Sequence, residues 1–72
     1  MTSEIPPFGA FAVDTRSGRV GRVMGAEGPY VQLRPLAGGK EWDVPPEHLR
    51  VALVMEELSA RVAELNRQSR MP

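Results

Sequence analysis

The stretch Val13-Asp14-Thr15-Arg16-Ser17-Gly18-Arg19-Val20-Gly21-Arg22-Val23 decides the fold. Asp14 can cap a turn with its own side chain, and Gly18 can take positive φ, so Asp14–Gly18 reads as a hairpin connection. Ahead of it, Ala10-Phe11-Ala12-Val13 reads as a strand with Phe11 and Val13 on one face. Behind it, Arg19–Met24 reads as the returning strand. Val20 and Val23 are three apart, so a regular strand would place them on opposite faces. A bulge at Gly21 is therefore expected, bringing both valines inward and bending the sheet.

The same punctuation continues outward, with Gly or Pro about every 8–12 residues, the spacing of a small sandwich or barrel. After the connection Gly25–Pro29, Tyr30–Arg34 alternates as a third strand, with Val31 and Leu33 inward and Tyr30, Gln32 and Arg34 outward. Pro35 ends it, and Leu36–Gly39 is a further turn. Lys40–Val44 reads as a fourth strand with Trp42 and Val44 inward. Pro45–Leu49 suits a single 3₁₀ turn, because Pro46 is tolerated at a first helical position. Arg50–Ala52 reads as a short fifth strand. The segment before the hairpin, residues 1–8, reads as an extended tail held by Pro6-Pro7, with Phe8 expected to pin it to the core.

Beyond Ala52 the period changes. Val51, Met55, Leu58, Val62 and Leu65 are spaced 4, 3, 4 and 3, a helical stripe. Glu57 and Arg61 form an i,i+4 pair in the favoured order. A helix start near Pro46 is an alternative. The break is placed near Ala52, because Val51–Met55 is apolar all round and suits a buried corner between strand and helix. The organisation is thus an N-terminal tail (1–8), a mainly β unit (9–52) and one C-terminal α-helix with its tail (53–72).

Composition narrows the function. The 72 residues carry 9 Lys plus Arg against 9 Asp plus Glu, with 42% hydrophobic and 25% charged residues. This describes one small globular domain and excludes a charged disordered tail or a globally basic arm. No apolar run reaches the roughly 18 residues of a membrane span. Met1-Thr2-Ser3-Glu4 has no features of a secretory leader, so a cytoplasmic location is expected. With no cysteine, disulfide, thiolate and cysteine-zinc chemistry are excluded. So small a chain buries only about 60% of its unfolded surface, and self-association is one remedy.

Chemistry-bearing residues are sparse. His48 is the single histidine, beside Glu47 in a proline-rich turn, without a Cys partner or a Gly-x-Ser-x-Gly nucleophile motif. A surface or half-buried structural role is expected for it. One histidine among scattered carboxylates does not supply a metal site. Gly18, Gly21, Gly38 and Gly39 fit turns and bulges; no helix or Gly-Lys-Ser/Thr follows to make a nucleotide loop. No catalytic residue, metal, cofactor or small-molecule substrate is expected. Charge is uneven, however: residues 14–40 are net basic, through Arg16, Arg19, Arg22, Arg34 and Lys40, and residues 41–57 net acidic. Arg22 and Arg34 share an outward face with Tyr30 if their strands pair, a mixture of charge and ring that suits nucleic acid. Trp42 is read as a core residue whose indole N–H wants a partner, or else as an exposed platform.

Val13-Asp14-x-x-Ser17-Gly18-Arg19-Val20-Gly21-Arg22-Val23 resembles the first hairpin of SH3-like barrels, including PRC-barrel and KOW-type modules. Those barrels tend to close with a segment like Val44-Pro45-x-x-x-Leu49-Arg50. The runs Gly28–Pro35 and Gly38–Pro46 look like those of small proteins of high-GC actinobacteria, in keeping with eight arginines to one lysine. The resemblance spans roughly residues 9–52 and implies a five-stranded SH3-like barrel, with the helix as an addition. KOW-type modules bind RNA or transcription machinery, and PRC barrels mostly bind proteins. The expectation is a non-catalytic interaction or adaptor module, with a regulatory role. Arg19, Arg22, Tyr30, Gln32, Arg34 and Trp42 are one candidate surface, and Met55, Leu58, Val62 and Leu65 another. The helix stripe packs on its own barrel, on a second copy in a homodimer, or on another protein. A nucleic-acid-binding regulator using the arginine hairpin is the alternative.

Overall fold

Asp14 and Gly18 close the first hairpin as their residue types require. Ser17 and Gly18 donate their backbone N–H groups to the Asp14 carbonyl at 3.1 and 2.7 Å, and Gly18 sits at φ +79°. The computed structural model describes residues 6–69. Most of the expected N-terminal tail, and the last three residues, lie outside them. The hairpin joins β1 (Phe11–Asp14) to β2 (Arg19–Glu27); β3 (Tyr30–Pro35), β4 (Trp42–Val44) and β5 (Leu49–Val51) complete one antiparallel sheet of order β4-β3-β2-β1-β5. A 3₁₀ turn, Pro46–His48, precedes β5, and one helix, α1 (Val54–Ser69), follows it. The fold is mainly β with a single C-terminal helix.

The sheet's two faces do different things. On one, Ala12, Val23, Val31, Leu33 and Val44 form the core, with Trp42 and Leu49 packed against it. On the other lie Phe11 and Val13, also buried. Phe11 stands opposite Arg22, and Arg22 opposite Arg34. All four β1 residues are therefore buried, although alternation alone assigns only half of a strand to a core.

The bulge falls elsewhere than expected. Gly21 pairs regularly with Ala12, and the register shifts between Val23 and Gly25, at Met24. Val20 accordingly opposes Val13 on one face while Val23 enters the core on the other. Gly21 is needed for close approach. A Cβ there would lie 2.8 Å from the Arg34 carbonyl oxygen and 3.0 Å from Trp42 Cη2.

Four further expectations are corrected. Phe8 does not pin the tail; it is exposed, and Pro6 is the buried residue. Just after the tail, Gly9 and Ala10 join β2 through backbone bonds, Gly9 N–H to Val23 O at 2.7 Å and Val23 N–H to Ala10 O at 2.8 Å. The fourth strand starts at Trp42, since Gly38 and Gly39 carry the chain through positive φ just before it. The fifth strand is Leu49–Val51, shifted one residue forward. The strand-to-helix corner is not buried: Val51, Leu53, Val54 and Met55 are all exposed. The apolar run there reads as core, yet no layer among the described residues covers it.

The ladder leaves β4 and β5 as edges. The sheet is nevertheless strongly curled. β4 and β1 are separated by two strands, about 14 Å across a flat sheet, yet their side chains meet directly.

Candidate interaction surface

Asp14 is 3% exposed and its carboxylate is saturated. Oδ1 accepts the Arg16 backbone N–H and Nε, each at 3.0 Å. Oδ2 accepts Arg16 Nη2 at 3.0 Å and Trp42 Nε1 at 2.9 Å. Arg16 Nη2 also reaches the Asp43 carbonyl at 3.1 Å. The Arg16 guanidinium therefore holds the Asp14 carboxyl well below the usual carboxylate range, with the Trp42 bond adding to it. Arg19, across the ladder from Asp14, lays its guanidinium 3.9 Å from the centroid of the Trp42 ring. Trp42 is thus half-buried, bonded on its edge and covered on one face, which leaves little of an exposed platform.

Arg22 is equally committed. It donates from Nε and Nη2 to Glu64 at 3.0 and 3.1 Å, and from Nη1 to the Gly9 carbonyl at 2.6 Å. Its guanidinium lies 4.4 Å from the centroid of the Phe11 ring, with that of Arg61 at 5.8 Å. Arg22, Arg61, Glu64 and Leu65 line a shallow open groove between sheet and helix. Three of the sequence-selected arginines, Arg16, Arg19 and Arg22, are therefore engaged by groups of their own chain, Arg16 and Arg19 while still exposed. Arg22, Arg34 and Tyr30 do share a face, but Gln32 between them bonds Glu27 and Asp43. Among the described residues, Arg34 and Lys40 hold no ion pair.

The helix is fixed at its start by Glu56. Its carboxylate accepts the Leu53 backbone N–H at 2.8 Å, satisfying a donor at the helix's N-terminal end. Arg50 of β5 grips the same carboxylate at 2.9 and 2.7 Å. These bonds, Arg50 first, draw the Glu56 pKa down to about 2. Glu57 and Arg61 pair at 2.8 Å, as their spacing predicts. The Asp14–Trp42, Arg22–Glu64 and Arg50–Glu56 contacts had no signal in local sequence. Only Glu56, three residues after Leu53, matches half of a capping pattern.

α1 rests on the sheet with its small side. Among its described side chains Ala60 alone is buried, at 2% exposure, and β2 is its principal neighbour. Met55, Leu58, Val62 and Leu65 are 79%, 57%, 54% and 61% exposed. At about 100° per residue, all four fall within roughly 40° of the point opposite Ala60. The helix presents the stripe largely to solvent, with Leu65 also edging the groove beside Arg22.

His48 is exposed, and its backbone carbonyl receives the Thr15 N–H at 2.8 Å and the Thr15 hydroxyl at 3.1 Å. No group of three or more potential metal ligands occurs among the described residues. No described helix is long and apolar enough to cross a membrane. No family model, curated protein or solved structure matches the chain.

Proposed function

We propose that the chain is a non-catalytic protein-interaction module that docks through the apolar stripe of α1. The observation that carries this reading is the orientation of the helix: Ala60 faces the sheet, and four large apolar side chains face away. A lone helix of this length is marginal in water, and this one is tied down by Arg22–Glu64 and Arg50–Glu56. A helix anchored by its polar side, with its apolar side outward, is arranged for docking. The curled five-stranded sheet is, on this proposal, an SH3-like barrel serving as the scaffold, and its cytoplasmic setting accords with a chain of zero cysteines. An adaptor or regulatory role accords with the same surface. Commitment of Arg16, Arg19 and Arg22 to internal partners weighs against nucleic-acid binding through the hairpin.

Capture from native cell extract tests this, comparing wild type with Leu58→Glu/Leu65→Glu and with Arg34→Ala/Lys40→Ala. The expected result is loss of bound protein, whether its own copies or another chain, with the stripe variant alone. Loss confined to the Arg34/Lys40 variant, together with anisotropy-detected binding to DNA or RNA at low salt, overturns the proposal.

A further inference from the structure

We infer that the occupant of the stripe is a second copy of this chain, with the two α1 helices antiparallel about a two-fold axis. This rests on the reading of α1 as the docking element, and three observations select the partner.

The first is the spacing. Met55, Leu58, Val62 and Leu65 are 3, 4 and 3 apart, an order that reads the same in both directions. Antiparallel pairing about the middle of the stripe sets Met55 of one copy against Leu65 of the other, and Leu58 against Val62. A self-complementary patch is what a two-fold interface requires.

The second is charge. The helix carboxylates Glu56, Glu57 and Glu64 each hold an arginine of their own chain, Arg50, Arg61 and Arg22. Among the described side chains the helix therefore offers no unmatched carboxylate to steer a cationic partner, and a copy of itself meets no excess of negative charge there.

The third is extent. Val51, Leu53 and Val54 widen the patch at the N-terminal end of the helix, and all three are more than half exposed. At roughly 60–120 Å² per aliphatic side chain, the seven residues present on the order of 600 Å² of apolar surface. That is at the upper end for a typical monomer's largest patch, about 300–600 Å², and approaches the ~800 Å² per partner of a standard interface. The sheet lies behind Ala60, so two copies can close without their sheets meeting, giving a layered sheet–helix–helix–sheet dimer.

Sedimentation velocity of the full chain, combined with cysteine pairing, tests the inference. Wild type is expected to sediment as a dimer, and Leu58→Glu/Val62→Glu as a monomer with an unchanged far-UV spectrum. The chain contains no cysteine, so Met55→Cys and Leu65→Cys introduce unique thiols. An equimolar mixture is expected to form the mixed disulfide under mild oxidation. Met55→Cys alone is expected not to link to itself, since ten residues of helix separate the two sites by about 15 Å, beyond the roughly 7 Å limit between Cα atoms. Self-linking of Met55→Cys, or no mixed disulfide, overturns the antiparallel pair even if the Glu variant fails to fold. A folded wild-type monomer at all concentrations overturns the second copy. If that monomer still captures a different protein through the stripe, the docking reading survives; if the stripe variant captures as wild type does, that reading fails as well.

Discussion

Trp42 donates its indole N–H to Asp14 Oδ2 at 2.9 Å although β3 and β2 lie between their strands. A flat sheet cannot make this bond, so it reports the curl directly. The two strands meet through side chains where the backbone ladder does not join them. Gly21 permits the approach, since Trp42 Cη2 fills the space a Cβ would need.

Asp14→Ala removes all four bonds at this carboxylate and leaves the Trp42 N–H and the Arg16 guanidinium without it. The expected loss is about 1–3 kcal/mol, measured by urea unfolding with the single tryptophan as reporter. Trp42→Phe forfeits one of these bonds and keeps a ring beneath Arg19. It is expected to cost less when unfolding is followed by circular dichroism.

Acid destabilises the protein through two carboxylates. Asp14 and Glu56 both titrate lower folded than unfolded, Glu56 at about 2 against an ordinary 4.5. Their ionised forms therefore favour the fold fully above the ordinary range, and that contribution falls away as pH drops through the folded values. Stability from these two groups is expected to be flat between about pH 8 and 5 and to decline below it. Glu56→Gln is expected to remove part of the slope and to speed amide exchange in the first turn of α1, leaving β1–β3 protected.

Gly21→Ala places a methyl against backbone. The Arg34 carbonyl cannot swing aside as a flexible side chain does, so the sheet itself must shift. A loss of about 1–3 kcal/mol is expected, with chemical shift changes centred on Arg34 and Trp42 in heteronuclear spectra.

Arg22→Ala unties the helix from the sheet. Glu64 loses its cation, the Gly9 carbonyl its donor and Phe11 its cover. A cost of about 1–3 kcal/mol is expected, with amide exchange rising along α1 more than in the ladder. Arg22→Lys is expected not to restore the wild-type value, because an ammonium cannot reproduce the two-pronged contact.

Alternation and turn residues located all five strands and the helix to within a few residues. Asp14–Gly18, Val31/Leu33 and the 4, 3, 4, 3 stripe are strong local signals. What stayed hidden depends on which layer covers which face. Val51–Met55 has the composition of a core and lies on the surface, because exposure is settled by what packs there and not by apolarity. Arg22 reads as a surface cation, yet it is held by Glu64, 42 positions away. Gly21 suggests a bulge in the sequence, but a missing side chain is equally compatible with tight packing, which is its role here.

The rims of the sheet carry their own consequence. β4 and β5 are each three residues long, and Pro45 and Pro46 directly follow β4. A neighbouring molecule finds only a few free amides and carbonyls to zip onto, too short a template for fibril growth. Crowding this protein thus leaves strand-by-strand polymerisation poorly nucleated, and most of its exposed large apolar side chains lie on or beside the rod.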